Sequence, residues 1–327
     1  KAEKNFAADL VKLLEKELPH GVRVLFVGSA ARDTGLHGDN DLDLFACFPK
    51  KFSREEIVAA TIKATKKAIS AKWVMHYAEH PYLKTRIGEF EVEVIPCFEI
   101  SPHDELKSAV DRSPLHALYL QEHLTPAQKQ DVRLFKQFLK NAGLYGAELR
   151  VAGFSGVLCE YLVLNYRSFL GVVQAASKWR VGEVIDLEGH YAGVKPPFDT
   201  PLVLIDAVDK KRNVAAVLSP TNFSKFVSLC NSFLRKPTDD FFFHKPRQFK
   251  ASAVNSLIKK RGTLSLLISL NAPDVVEDVL YPQIQKTLSS LSSHLTKERF
   301  SLASAAYFAD ETAGKIFFLL EFSSPTR

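Results

Sequence analysis

Clustered cysteines and long apolar runs are both missing from this sequence. Its four cysteines lie far apart, with no Cys-x-x-Cys pair and no Cys/His cluster at zinc-binding spacing. No apolar stretch approaches the roughly 20 residues that a membrane-spanning helix needs, and no signal-peptide pattern occurs. These absences argue against a zinc module, a disulfide-rich secreted domain and a membrane protein, and they favour a reducing, cytoplasmic compartment.

Methionine is almost absent as well. The single Met75 is internal and the chain begins at Lys1, so we expect the first residues of the natural protein to be missing. The chain stops directly after a short β-α-β-β pattern, which predicts either a truncated or an unusually small last domain. Internal repeats and low-complexity tracts are also absent.

The composition is that of a globular protein with a moderate positive charge. The chain has 327 residues, 46% of them hydrophobic and 24% charged, which predicts two or three ordered domains. Its formal net charge of +6 at pH 7 fits a partner such as RNA or DNA but does not establish one.

The spacing of apolar residues predicts a succession of helices and strands. Helices are expected at 3–18, 53–71, 126–141, 151–177 and 222–234, strands at 22–27, 42–48, 89–98 and 203–206, and a β-α-β-β order between 264 and 322. Leu13 is expected on the buried face of the first helix, and strand 22–27 is expected to be buried on both faces. Cys47 and Cys97 are expected to be buried, reduced thiols. The mixture predicts an α+β protein with several domains.

Two pairs of carboxylates stand in predicted strands. Asp41 and Asp43 are two residues apart, so they share one face of a strand at about 6.5–7 Å along the backbone. Glu91 and Glu93 repeat the arrangement, and one of them faces the aspartates if the two strands are neighbours. Such oxygen ligands suit two Mg²⁺ or Mn²⁺ ions about 3.5–4 Å apart, as in two-metal phosphoryl transfer. Alone, however, an Asp-x-Asp pair is more often a solvated strand edge.

The turn before this strand adds a second signal. Gly28 and Ser29 end a predicted strand and open a short helix, where free backbone N–H groups and a hydroxyl can bind a triphosphate. Arg32 follows about one helical turn later and adds a cation to the same anion site. The combination favours a metal-dependent nucleotidyl transfer over a solvated strand edge.

The string GSAARDTGLHGDNDLDLF resembles the signature of the polymerase-beta-like nucleotidyltransferase superfamily. The later stretches YAEHPYLKTRIGEFEVEVIPCF, SAVDRSPLHALYL and DAVDKKRNVAAVLS resemble archaeal (class I) CCA-adding enzymes, as does RGTLSLLISLNAPDVVEDVLYPQ. The resemblance implies a nucleotidyltransferase palm of mixed sheet and helices at 1–115, a mainly helical central nucleotide- and RNA-binding domain at 116–243, and the start of an α+β tail at 244–327.

The resemblance also implies an activity. Such enzymes add C, C and A to the 3′ end of tRNA from CTP and ATP without a template, using two Mg²⁺ ions, with Mn²⁺ as a substitute, and releasing pyrophosphate. The expected partners are therefore the tRNA acceptor end, CTP and ATP, with no membrane. The oligomeric state stays open, a homodimer being one option. The alternatives are another terminal RNA adenylyltransferase of the superfamily and a tRNA-binding protein whose catalytic site has decayed.

Site residues follow from the same resemblance. The metal carboxylates are Asp41, Asp43 and Glu93, and the nucleotide-site residues are Ser29, Arg32, Ser113, His116, Lys136, Tyr145 and Arg212. Lys136 and Tyr145 would hold the triphosphate, and Arg212 would help to read the base edge. The family usually has Asp at the position of Glu93 and often Glu at that of Asp41, so the two exchanges are expected to compensate in part.

Residue patterns alone favour other interpretations of several positions. Without the resemblance, Lys136 is a solvated lysine on an amphipathic helix, Tyr145 packs on a helix end, and Arg212 belongs to a solvated basic run. Candidate RNA-phosphate contacts are the basic clusters Lys259-Lys260-Arg261, His244-Lys245-Arg247 and Lys84/Arg86, each equally well explained as solvated charge.

Overall fold

A computed structural model describes residues 2–77, 80–101, 106–243, 250–310 and 312–323. The chain forms two compact units, one made of residues 1–147 and 153–243, and the other of residues 148–152 and 244–327. The first unit therefore contains both the predicted palm and the predicted central domain. The α+β class is confirmed, with a mixed sheet, a helical middle region and a C-terminal sheet.

The N-terminal half of the first unit is built on a five-stranded mixed sheet. Its elements are α1 (Ala2–Glu17), β1 (Arg23–Val27), α2 (Gly28–Ala31), β2 (Asp41–Phe48), α3 (Arg54–Ala68), β3 (Val74–Tyr77), β4 (Pro81–Ile87) and β5 (Phe90–Phe98). The strand order is β1-β2-β5-β4-β3. Only β2 and β5 pair in parallel, and the other pairs are antiparallel. The sheet thus brings the two carboxylate-bearing strands side by side.

One face of this sheet packs on α1 and α3. Leu42 and Leu44 of β2 point to that face together with Leu14 of α1 and Ile57 of α3, and all four are buried. Because strand side chains alternate, Asp41 and Asp43 lie on the opposite face. Leu13 was predicted to join this core, but it is 42% exposed. Consecutive residues of a helix are about 100° apart around its axis. Because Leu14 faces the core, Leu13 points towards solvent.

Strand β1 was predicted to be buried on both faces, and both of its faces pack in a core, although Leu25 and Phe26 are only partly buried. Val24 and Phe26 pack on the side of α1, and Val27 and Leu25 pack with Ala117 of α4 (Arg112–His123) on the other side. Among the described strands, β1 pairs with β2 at the edge of the sheet. Helix α3 begins with a capping box, in which Ser53 and Glu56 each accept a hydrogen bond from the backbone of the other.

The central region is mainly helical. It comprises a 3-10 turn at Ala109–Asp111, α4 (Arg112–His123), α5 (Pro126–Asn141), α6 (Gly156–Tyr166), α7 (Phe169–Ala176), β6 (Glu183–Asp186), β7 (Leu202–Ile205), α8 (Pro220–Arg235) and a 3-10 turn at Asp239–Phe241. Helix α5 is confirmed at its predicted bounds. The single helix expected over 151–177 is wrong, since Ser155 caps α6 and Arg167 adopts a left-handed φ of 70° that ends it.

The second unit contains α9 (Ala251–Arg261), β8 (Leu264–Asn271), α10 (Glu277–Lys297), β9 (Leu302–Asp310) and β10 (Lys315–Phe322). Its three strands form an antiparallel sheet in the order β8-β10-β9. The predicted β-α-β-β order is confirmed. Residues Leu280, Tyr281 and Ile284 of α10 pack on Ile316 and Phe318 of β10.

The four cysteines are buried and form no disulfide. Cys47 and Cys97 face each other across β2 and β5, as expected for apolar thiols. Within the described residues, no single helix is long and apolar enough to span a membrane, although α6 and α7, bent by 90°, pass that test as a pair. Most side chains of that pair are buried in the central core.

Candidate active site

A glycine turn connects β1 to α2 beside Asp43. Gly28 has a φ of +79°, a conformation that side-chain-bearing residues rarely adopt. Any Cβ at Gly28 would also overlap the carboxylate of Asp43. Backbone angle and space therefore both require glycine here. Ser29 follows in the first turn of α2 and is partly buried, and its carbonyl oxygen accepts a hydrogen bond from the backbone N–H of Thr34 at 3.0 Å.

The carboxylates of β2 and β5 form one ladder. In the parallel register Asp41 is opposite Glu91 and Asp43 is opposite Glu93, all on the sheet face away from α1 and α3. These four residues are called the carboxylate ladder below. The strands are neighbours, as the interpretation of Glu91 and Glu93 required.

A lysine from β4 reaches into this ladder. Lys84 is opposite Glu93 in the antiparallel register, and its Nζ lies 2.9 Å from Glu91 and 3.0 Å from Glu93. Burial alone would lower the pKa of Lys84, but the hydrogen bonds to these two glutamates raise it. Lys84 is therefore engaged by carboxylates, which weakens its interpretation as part of an RNA-binding patch with Arg86.

Negative charge accumulates at Asp43. Burial, followed by the charges of Glu93 and Asp41, raises its pKa to about 7. Burial and the charge of Glu91 raise the pKa of Asp41 as well. In Glu91 the hydrogen bond from Lys84 lowers the pKa. The single lysine does not balance the four acids of the ladder, and a divalent cation would do so.

The carboxylate oxygens of the ladder are chemically suitable ligands for a divalent cation. Carboxylate oxygens are the ligands that Mg²⁺ and Mn²⁺ prefer. In the described part of the chain, however, no three acidic, His or Cys side chains are already arranged closely enough to hold a metal ion. The Glu93 carboxylate instead forms an ion pair with Lys84 of β4, with 3.0 Å between the Lys84 Nζ and a Glu93 oxygen.

A cleft of about 270 Å³ opens beside the ladder. Gly28, Arg32, Asp43, Ser113 and His116 line it with apolar residues of β1, β2, β5 and α6. Four of the predicted site residues therefore share one cavity. A larger groove of about 940 Å³ is lined by other residues of α4 and by the loop after β7, and no ladder residue lines it.

Arg32 is held by a buried carboxylate of α6. Its Nε and Nη2 donate to the two oxygens of Glu160 at 3.2 and 2.8 Å, and Thr34 donates its hydroxyl to the same carboxylate. Arg32 is only 6% exposed, and Glu160 is fully buried. The pair joins the palm to the central helices.

Lys136 completes this cluster from α5. Its Nζ donates to the carbonyl oxygen of Thr34 at 2.9 Å and lies 3.8 Å from Glu160. The interpretation of Lys136 as a solvated lysine is wrong, because its side chain is 1% exposed. Burial lowers its pKa, and the charge of Glu160 opposes that effect. Tyr145 lies nearby, since a Cβ at Gly156 would be 3.4 Å from the Tyr145 hydroxyl and 3.6 Å from Lys136 Nζ.

A second buried carboxylate, Asp206, follows β7. It accepts hydrogen bonds from His116 Nε2 at 2.8 Å, from Arg212 Nη1 at 2.8 Å and from the Tyr161 hydroxyl at 3.2 Å. Burial alone would raise the pKa of Asp206, but the hydrogen bonds and charge of His116, with help from Arg212, hold it at about 2. Arg212 is thus anchored at one end and is not simply part of a solvated basic run.

Glu160 and Asp206 were not predicted from the sequence, and Lys84 was assigned to an RNA-binding cluster rather than to the carboxylate ladder. Glu160 is the one charged residue in the apolar helix sequence GVLCEYLVLNY, a signal for a buried ion pair. Asp206 directly follows the apolar strand LVLI, which gives a similar signal. Lys84 had no such signal, because its importance comes from the strand register.

Of the two remaining basic clusters predicted to contact RNA, the structure describes one. Lys259, Lys260 and Arg261 end α9, and Arg261 pairs with Glu321 at 3.1 Å. The cluster His244-Lys245-Arg247 lies outside the described residues.

Three family models match the chain. The nucleotidyltransferase domain matches residues 8–116, and the second domain of tRNA nucleotidyltransferase matches residues 130–243. The C-terminal domain of the CCA-adding enzyme matches residues 261–326. The matches follow one another along the chain in the order expected from the resemblance.

Curated relatives extend over most of the chain. A CCA-adding enzyme of Methanothermobacter thermautotrophicus is 40% identical over 302 residues, covering 91% of this chain and 66% of the relative. That of Methanosarcina barkeri is 36% identical over 311 residues, covering 93% of this chain and 67% of the relative. The chain thus spans just under two thirds of the first relative's length.

Among solved structures, Cid1, described by its RNA terminal uridylyl transferase activity, has a similar fold. Its TM-score is 0.57 at 13% identity, covering 75% of this chain and 93% of that one.

Proposed function

The chain belongs to the family of CCA-adding enzymes, and we propose that it adds C, C and A to the 3′ end of tRNA from CTP and ATP without a nucleic-acid template. The observation that carries this proposal is the carboxylate ladder beside the Gly28 turn. The buried, free cysteines agree with a reducing cytoplasm as the place of action.

The reaction joins the 3′-oxygen of the RNA to the α-phosphorus of the nucleotide. The bond from the α-phosphorus to the oxygen that bridges it to the β-phosphate breaks, the hydroxyl proton passes to water, and pyrophosphate is released. The chain's own residues orient the two reactants. The N–H groups at the start of α2 and the Ser29 hydroxyl would bind triphosphate oxygens, and Asp43 lies next to them.

Two cations and a tyrosine hydroxyl near the start of α2 would bind the triphosphate oxygens. We assign Arg32, Lys136 and Tyr145 to the phosphates, since all three lie around the Glu160 cluster and the start of α6. Ser113 and His116 line the cleft with Asp43, and we assign them to the nucleotide as well. Arg212 is assigned to the base, because a planar guanidinium suits paired hydrogen bonds to a base edge.

We propose that Asp41, Asp43 and Glu93 hold two Mg²⁺ ions, with Mn²⁺ as a substitute. The excess of acids over Lys84 and the raised pKa of Asp43 support this assignment. When bound, such ions lower the pKa of an attacking hydroxyl and neutralise the leaving pyrophosphate. Glu93 would then exchange part of its contact with Lys84 for a metal.

Mg²⁺ is expected to raise the melting temperature of the wild-type protein, because a bound cation removes the repulsion at Asp43. The variants Asp43→Asn and Glu93→Gln are each expected to lose most of this rise. In EDTA, Asp43→Asn is expected to melt higher than wild type above pH 7. The folded pKa of about 7 exceeds the ordinary value of 3.8, so the wild-type charge is destabilising there and the difference vanishes below about pH 4.

Glu91→Gln is the matched control for this melting experiment. Glu91 is on the same face and also contacts Lys84, but it is opposite Asp41 rather than Asp43. It is expected to keep a clear Mg²⁺ response. A Glu93→Gln protein with the full wild-type response would contradict the assignment of Glu93 as a ligand.

The proposed function is tested with tRNA that lacks its 3′ CCA, incubated with labelled CTP and ATP separately and together. CTP alone is expected to extend the RNA by two residues, and both nucleotides together by three. Extension by ATP with no use of CTP would instead indicate another terminal adenylyltransferase. RNA binding with no incorporation of either nucleotide would indicate a decayed enzyme.

A further inference from the structure

The carboxylate of Asp206 accepts hydrogen bonds from four different residues. Its carboxylate is fully buried, and it accepts from His116, Tyr161, Arg212 and the backbone N–H of Val208. None of the roles proposed above uses this carboxylate. Two of its donors, His116 and Arg212, are assigned to the nucleotide, and they come from separate parts of the chain.

The same residue also closes the loop that carries Arg212. The backbone N–H of Asp206 donates to the carbonyl oxygen of Arg212 at 3.1 Å, and Asp209 and Arg212 continue the turn with hydrogen bonds of 3.3 and 2.9 Å. The Arg212 side chain is 35% exposed, and within the described part of the chain its one ion pair is the contact of Nη1 with Asp206. Asp206 therefore holds Arg212 at two points, through the Arg212 backbone carbonyl and through its guanidinium.

His116 extends this arrangement to the cleft. An ionised carboxylate only accepts, so the N–H at His116 Nε2 donates a hydrogen bond to Asp206, which fixes the ring on the cleft wall that also contains Asp43. The Tyr161 ring packs edge-on against His116 at a centroid distance of 6.0 Å, while its hydroxyl donates to Asp206. Three donors from α4, α6 and the loop after β7 thus share one carboxylate.

A fixed guanidinium can distinguish bases by a simple rule. On the pairing edge, C has an acceptor at N3 and A has an acceptor at N1, whereas U and G carry an N–H at these positions. An N–H donor held in one direction therefore accepts C and A and opposes U and G. A donor that can swing away loses this discrimination, because it can avoid the unfavourable contact.

We propose that Asp206 is a positioning residue for nucleotide selection, which holds Arg212 and His116 in one geometry so that the enzyme accepts C and A and rejects U and G. The inference rests on the proposed function. It predicts that loss of the Asp206 charge changes which nucleotide is incorporated more than it changes the rate of the chemical step.

The test is the variant Asp206→Asn, assayed for kcat/KM with CTP, ATP and UTP on tRNA lacking its 3′ CCA. Asparagine keeps the size of the side chain but removes the charge and one acceptor oxygen. The ratio of kcat/KM for CTP to that for UTP is expected to fall about tenfold or more, since donors to a charged group are strongly held. An unchanged ratio, with or without a lower overall rate, overturns the proposal.

Two further variants separate positioning from general damage. Asp111→Asn is the matched control, because Asp111 is also buried but accepts from the backbone N–H groups of Phe98 and Ser108. It is expected to leave the CTP to UTP ratio unchanged. Tyr161→Phe removes one hydrogen bond to Asp206 and keeps the ring, so it is expected to lower the ratio by a smaller factor, about twofold to fivefold.

If Asp206→Asn does not fold, Tyr161→Phe provides the measurement instead. In that case an unchanged ratio of kcat/KM for CTP to that for UTP in Tyr161→Phe overturns the proposal. A change in the ratio for Asp111→Asn as large as for Asp206→Asn also overturns it. The wild-type protein distinguishes a failure of the proposed function from a failure of the proposed role of Asp206. If wild type incorporates neither CTP nor ATP, the proposed function itself fails. If wild type incorporates both and the variants keep its selectivity, only the role of Asp206 fails.

Discussion

Replacing Asp43 by alanine is expected to abolish nucleotide incorporation while tRNA binding is largely retained. Asp43 is opposite Glu93, lies next to the Gly28 turn and lines the cleft with Arg32. In the proposed assignment its carboxylate holds a metal ion where charge develops during transfer, and the loss of such a group costs about a hundredfold to a thousandfold in rate. Incorporation of labelled CTP and a filter-binding or gel-shift titration with tRNA measure the two effects separately.

Asp9→Ala is the control for the loss of one negative charge. Asp9 is exposed on α1, the helix that covers the opposite face of the sheet, and it lies 3.8 Å from Lys12. Its variant is expected to incorporate nucleotide as wild type does. Turnover by Asp43→Ala within about tenfold of wild type would refute the assignment of the ladder as the catalytic site. Equal loss of tRNA binding and turnover would point to misfolding instead.

Local patterns in the sequence predicted helix α5 and the shared face of Asp41 and Asp43. Helix α5 has its predicted bounds because Thr125 and Gln128 form a capping box at its start. Alternation predicted that Asp41 and Asp43 share a face, and the apolar partners Leu42 and Leu44 confirm it by their burial. Such features depend on neighbours within a few residues, and the sequence contains all of that information.

Contacts between residues that are far apart in the sequence could not be predicted from local patterns. Arg32 binds Glu160, which is 128 residues away, and His116 binds Asp206, 90 residues away. The first pair forms because the central helices pack on the palm, and the second forms because α4 packs on the loop after β7. Lys136 shows the consequence, since its helix pattern indicates a solvated position, whereas the opposite wall of the cluster buries it. The strand order that brings Lys84 to Glu93 was likewise not predictable from periodicity.

The Arg32–Glu160 pair and the His116–Asp206 pair are both built on a buried carboxylate. Each buried carboxylate, Glu160 or Asp206, holds cationic or donor groups that we assign to the nucleotide, and neither lines the 270 Å³ cleft. Glu160 and Tyr161 are consecutive on α6, so one helix supports the phosphate side through Glu160 and the base side through the Tyr161 contact with Asp206. A shift of α6 would therefore disturb both sides together.

Glu160→Ala is expected to destabilise the fold by about 3–5 kcal/mol, because it leaves buried charges without their partner. Arg32 is 6% exposed and Lys136 is 1% exposed, and both lie within 4 Å of the Glu160 carboxylate. Glu160→Gln keeps an acceptor for Arg32 and is expected to lose less. Urea unfolding at pH 7, followed by circular dichroism, gives the free energies of unfolding.

The control is Glu122→Ala, since Glu122 is exposed on α4 and its loss is expected to change the free energy of unfolding by no more than about 0.5 kcal/mol. If Glu160→Ala unfolds at the same urea concentration as this control, the cluster adds nothing to stability and Arg32 is not held by it. If it unfolds earlier but binds CTP as tightly as wild type, Glu160 stabilises the fold without positioning Arg32. Loss of both is the expected result, because the Glu160 carboxylate joins α6 to the palm and also binds Arg32, the cation that we propose for the triphosphate.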